Sequence, residues 1–169
     1  MDPSQRVAFH EAAHVVAALK LHRPFGSVSI VANERSAGRV NPGKKAISVD
    51  DWLAAAEWSD KRDDVIVRLA GPHVDYLAGK EWNPAHSDFT RAMRVLLDAT
   101  RGNQAAATVL FEECYREASA IITEHHGDVE ALAGALCEHK TLTAKQCRQL
   151  LPHLAYRNRA EQLLERVKA

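Results

Sequence analysis

Apolar positions recur along most of this chain at the three-to-four residue spacing of helices, and only one early stretch alternates as a strand does. Asp2-Pro3-Ser4-Gln5 reads as a helix opening, with Asp2 as cap, Pro3 at the first helical position and Gln5 where a capping-box partner belongs. The helix should run to about Leu21. Val7, His10, His14 and Leu21 fall on one stripe and Ala12, Val15, Val16 and Leu19 on a second, which predicts a buried helix with apolar contact around much of its girth. After the break at Pro24-Phe25-Gly26, residues 27–32 place Val28, Ile30 and Ala32 on one side, as in a half-buried strand. A second short strand over about 37–40 is expected to pair with it.

Beyond the Pro42-Gly43 turn and Lys44-Lys45, the pattern is helical from about Asp50 to the end. A helix over 60–77 carries Ile66, Leu69, Ala70 and Leu77 on one face and is expected to bend or divide at Gly71-Pro72, where proline lacks the amide hydrogen. Ser87 stands where a cap for the next helix belongs, and Phe89, Ala92, Met93, Leu96 and Leu97 give that helix a core-facing stripe. Further helices are expected over 104–126, 128–138, 143–151 and 155–168, with Thr143 and Gln146 as a capping box and Pro152 as a stop. The fold class that follows is mainly α with a small β-sheet (α+β). The 169 residues suit a single domain, with 1–103 as the active-site part and 104–169 as the helical part.

Charge and cysteine usage narrow the partners. The 22 basic and 22 acidic side chains cancel and are mixed along the chain, so no basic stripe is offered to nucleic acid or an anionic membrane. Trp52, Trp58 and Trp82 therefore read as anchors of helices and loops, not as stacking platforms for bases. Cys114, Cys137 and Cys147 are odd in number and far apart, as expected of reduced packing residues. Apolar runs such as residues 15–19 fall far short of the roughly 20 residues that cross a bilayer, and no signal-peptide pattern opens the chain. A soluble cytoplasmic protein without direct membrane insertion is expected.

The chemistry lies in His10-Glu11-Ala12-Ala13-His14. Four residues along a helix bring two imidazoles to within about 40° of rotation and about 6 Å of rise, so both reach one metal ion. Glu11, one position after His10, sits near the edge of the same face, where it can take a proton without occupying a coordination position. Zinc with three protein ligands brings the pKa of water down to about 7, which suits peptide hydrolysis with a carboxylate base and no covalent intermediate. The bland alternative is a structural pair of satisfied histidines, although two histidines and a glutamate are costly to bury without partners. A third ligand is not in the motif itself: the sixth residue beyond His14 is Lys20, which excludes the metzincin pattern. Downstream, His73, His86 and Asp88 are candidates, and an acid such as Asp88 at a helix start also serves simply to satisfy free amides.

The order of blocks resembles the peptidase domain of the FtsH family of membrane-anchored, ATP-dependent zinc proteases, from the first helix nearly to Leu151. The histidine motif at 10–14, the strands at 28–40, the stretch 70–77 and Asp88-Phe89-Thr90-Arg91-Ala92-Met93 follow that family's sequence of motifs. The resemblance implies a zincin-like active-site helix, a short sheet and a C-terminal helical bundle. It also implies Zn2+ held by His10, His14 and Asp88, with Glu11 as general base. Ala12 and Ala13 in place of the family's Ala-Gly change neither ligand nor base. Pro72 and Tyr76 stand where the family tends to have an arginine and an acid, so support behind the metal is expected to be reduced, with Asp75 retaining part of it.

No Gly-x-x-x-x-Gly-Lys-Ser/Thr phosphate loop occurs, and with His10 so near Met1 no ATPase module is expected to precede it. The expected activity is thus an ATP-independent metalloendopeptidase acting on peptides, flexible tails or unfolded protein. A separate ATPase partner or a homo-oligomer would supply what the chain lacks. The competing reading is an inactive peptide-binding or regulatory module that keeps the fold. The strand at 28–32, if it edges the sheet, would take an extended peptide as an added strand. His73 carries no assigned chemistry, and the spacings of His125, His126, His139 and His153 do not converge on a second metal site.

Overall fold

The computed structural model describes residues 1–33, 37–42, 48–81, 83 and 86–154. The expected tail helix over 155–168, Trp82 and the Gly43 to Lys45 turn lie outside the described residues. Among the described residues, seven helices and three short strands follow in the order α1 (Pro3–Lys20), β1 (Ser27–Ser29), β2 (Arg39–Asn41), α2 (Val49–Ala55), α3 (Trp58–Leu77), α4 (Ser87–Ala99), α5 (Gln104–Glu124), α6 (His126–His139), β3 (Thr141–Thr143) and α7 (Ala144–Leu150). The class is mainly α with a small antiparallel sheet.

The capping box at the chain start forms as its sequence dictates: the Asp2 side chain accepts from the Gln5 amide while the Gln5 side chain accepts from the Asp2 amide. Every residue of α1 from His10 to Leu19 is buried, because α3, α5 and α6 all pack on it. Val15, Val16, Ile66, Leu69, Leu96, Ile122, Leu132 and Leu136 are the large side chains at the centre of this bundle. Each removes enough apolar surface from water to contribute roughly 1.5–3 kcal/mol.

Pro72 does not divide α3, which is helical from Trp58 through Leu77. The proline costs one ladder hydrogen bond, but Val65, Ile66, Leu69 and Ala70 before it and Val74 and Asp75 after it are all buried, so tertiary packing keeps both sides helical. The cap of α4 is also displaced by one residue: His86, not Ser87, is the N-cap, and its Nδ1 accepts from the Asp88 amide.

The sheet order is β2-β1-β3, with Val28 opposite both Val40 and Leu142. Expecting sheet only in the early segment thus misses β3, which arrives from beyond residue 140 through a left-handed Lys140 (φ 63°). The strand reading of 27–32 survives only at 27–29: Val28 and Ile30 are buried, whereas Ala32 is exposed. As β1 is paired on both sides, it offers no free edge to a peptide. No helix among the described residues is long and apolar enough to cross a membrane.

Candidate metal centre

His10 and His14 point from the buried side of α1 toward α3 and α4, and their Nε2 atoms lie 3.0 Å apart. Asp88, in the first turn of α4, brings its Oδ2 to 3.3 Å from His10 Nε2 and 3.5 Å from His14 Nε2. A tetrahedral zinc with bonds near 2.0–2.2 Å sets its donors about 3.3 Å apart, so the three atoms stand at the spacing one such ion requires.

The rings are held from behind. His10 Nδ1 donates to Asp75 Oδ2 at 3.0 Å, and His14 Nδ1 donates to the Val67 carbonyl oxygen at 2.7 Å. A carbonyl only accepts and an ionised carboxylate only accepts, so both Nδ1 atoms carry protons and both Nε2 atoms present lone pairs toward each other. Two lone pairs and a carboxylate oxygen this close need a cation among them, either a proton on His10 or a metal ion shared by all three. Asp75 is itself fixed by Lys80, whose ammonium donates to Oδ2 at 2.8 Å. Asp75 thus stands behind the His10 ring, whereas Tyr76 points to solvent, 56% exposed.

Gly71 shapes the opposite wall. A Cβ at this position would lie 2.5 Å from His14 Nε2 and 2.7 Å from His10 Nε2, so any side chain there would occupy the space between the two donors. Val67, Gly71 and Asp75 recur every fourth residue on α3 and form the floor of the centre, which explains why this helix must run unbroken through Pro72. The site fits a divalent metal in donor set, spacing, ring orientation and room.

Burial would push the His10 imidazolium down, but the hydrogen bonds and charges of Asp75 and Asp88 outweigh it and raise its pKa to about 9. Burial would push Asp88 up, yet the imidazoles of His14, His10 and His86 around it hold its carboxyl far below the usual range. Asp75 is likewise lowered, with His10 and Lys80 outweighing burial. Glu11 is buried beside the ligands, and burial raises its carboxyl pKa against the lowering effect of His14 and His10. Gly38, just before β2, packs on Glu11: a Cβ there would lie 2.8 Å from Glu11 Cγ and Oε1.

Of the other candidate third ligands, His73 faces away from the centre. It is buried, its Nδ1 pairs with the Tyr115 hydroxyl at 2.9 Å across the α3–α5 contact, and burial lowers its pKa. His86 stays near, with its Nδ1 3.3 Å from Asp88 Oδ2 and its ring 5.3 Å from that of His10. It lines a cleft with Pro72, Tyr76, Lys80 and Phe89 that opens beside the ligands. Sequence reasoning passed over its capping role because histidine is an uncommon cap. The three cysteines are free thiols, Cys114 and Cys147 buried and Cys137 half-buried.

No family model matches the chain, and no curated protein matches its sequence.

Proposed function

We propose that the protein is a zinc metalloendopeptidase in which His10, His14 and Asp88 bind the metal and Glu11 is the general base. The observation that carries this reading is the convergence of two oriented imidazoles and one carboxylate at zinc-ligand spacing, with a second carboxylate, raised in pKa, beside them. When bound, the zinc ion supplies a Lewis acid that acidifies water and polarises a peptide carbonyl.

The chain's own residues supply the rest. Glu11, raised by burial, accepts a proton nearer neutrality than an exposed glutamate and can return it to the leaving amine. Asp75 and the Val67 carbonyl keep His10 and His14 in the tautomer that offers Nε2. Since β1 is the central strand, an extended peptide beside Glu11 would add to the outer edge of β2 instead. The retained Glu11 and the Asp75 support favour turnover over a module that only binds peptides.

On this reading the substrates are peptides or unfolded protein, delivered by a separate ATPase or within a homo-oligomer, as the FtsH resemblance implies. The free thiols fit a reducing, cytoplasmic compartment. The test is cleavage of unfolded casein. Wild type should cleave it, a chelator should stop cleavage and zinc should restore it. Glu11→Gln should keep its zinc while the rate falls by about two to four orders of magnitude. Zinc-loaded wild type without any cleavage, or undiminished cleavage by Glu11→Gln, would overturn the proposal.

A further inference from the structure

A second cluster of donor atoms lies on residues that the centre at His10 does not use. His125 caps the start of α6, Asp128 sits in the first turn of that helix, and His153 follows the end of α7. His125 Nδ1 and His153 Nε2 approach the same oxygen, Asp128 Oδ2, at 3.0 and 2.9 Å. All three donor atoms lie within 4.8 Å of one another. Their separation in sequence hides this meeting: of the four histidines expected not to converge, the fold brings His125 and His153 to one carboxylate.

Hydrogen bonds alone could bring two imidazoles to one carboxylate, so the surroundings decide the matter. Histidines that bind metals nearly always give their other ring N–H to a carboxylate or carbonyl. His125 Nε2 lies 3.4 Å from Glu124 Oε1, which is such an acceptor. Lys20 sits beside both, its ammonium 3.0 Å from His125 Nε2 and 3.2 Å from Glu124 Oε1. An ammonium only donates, so His125 now holds its proton on Nδ1, toward Asp128. If Lys20, whose side chain is 37% exposed, swings into solvent, the ring can carry its proton on Nε2 toward Glu124 and offer Nδ1 to a metal. His125 and Asp128 are largely covered while the His153 side chain is 56% exposed, so an ion would enter from the His153 side.

We propose that His125, Asp128 and His153 form a second site for a divalent transition metal, with Glu124 as the outer support of His125, which fastens the chain beyond α7 to the start of α6. Two imidazoles and one carboxylate select zinc, nickel or copper over calcium or magnesium, which prefer oxygen ligands. Lys20 is a built-in competitor for the site. The inference does not depend on peptidase activity.

The test is equilibrium dialysis of the full chain against zinc, with elemental analysis and thermal melting. Wild type should bind two zinc ions per chain, and His153→Ala and Asp128→Asn one each. Lys20→Ala should bind at this site severalfold more tightly. Zinc should raise the melting temperature of Asp88→Ala, which keeps only this site, and should not raise that of Asp88→Ala with His153→Ala. Circular dichroism at the helix bands would establish that the exposed His153→Ala change leaves the fold intact. A wild-type count unchanged by His153→Ala and Asp128→Asn overturns the proposal. One zinc lost with His153→Ala but indifferent to Asp88→Ala would support it while refuting the reading of the first centre.

Discussion

At the scale of single residues, the first centre is defined by small distances that substitutions can probe separately. Gly71→Ala should strengthen α3 by helix propensity, about 1 kcal/mol in an exposed helix, but here the added methyl would meet both Nε2 atoms. The expected result is loss of zinc binding in a protein that still shows full helical content by circular dichroism. Asp75→Asn removes the carboxylate that orients His10 and should weaken zinc affinity about 10–100-fold in a competition titration.

The histidines, Glu11 and their mutual reach were legible in five consecutive letters because helical geometry alone unites i and i+4. Asp88 was legible only as one of several candidates. Gly71 was invisible as a functional residue, since nothing in its local sequence announces what faces it from another helix.

At the scale of elements, helices were readable wherever apolar spacing and a cap agreed, as at Asp2-Gln5 and Thr143-Gln146, where both capping boxes form. The Thr143 cap should matter: Thr143→Ala is expected to cost about 0.5–2 kcal/mol in urea unfolding. Two elements defeated local rules because tertiary packing overrode them. Pro72 reads as a break, yet α3 continues because residues on both sides of it are buried. Thr141-Leu142-Thr143 is too short for a periodic signal, yet it becomes β3 because β1 presents an edge and Leu142 has a core to enter. Leu69, fully buried on α3, tests that packing: Leu69→Ala should destabilise the fold by about 2–5 kcal/mol in urea unfolding.

At the scale of the whole molecule, α1, α3 and α4 each bring part of one site, so binding a metal ties three helices together. A ligand that binds only the folded chain stabilises it by about 2.7 kcal/mol at a hundred times its dissociation constant, so chelation should lower the melting temperature. The pH dependence of metal binding has a definite sign. Burial works against protonation of His10, but Asp75 and Asp88 prevail and raise its pKa to about 9, so below that pH zinc must displace a proton. Apparent zinc affinity should therefore climb by up to about tenfold per pH unit toward pH 9 and level off above it, as followed by a chelator-competition titration.

The central claim is that His10, His14 and Asp88 together hold one zinc ion. Elemental analysis of zinc in the His153→Ala protein, which keeps only this centre, tests it most directly when compared with the same protein carrying Asp88→Ala. One zinc per chain that falls to near zero on adding Asp88→Ala is the predicted result; no zinc at all, or a full complement that Asp88→Ala leaves untouched, would contradict it.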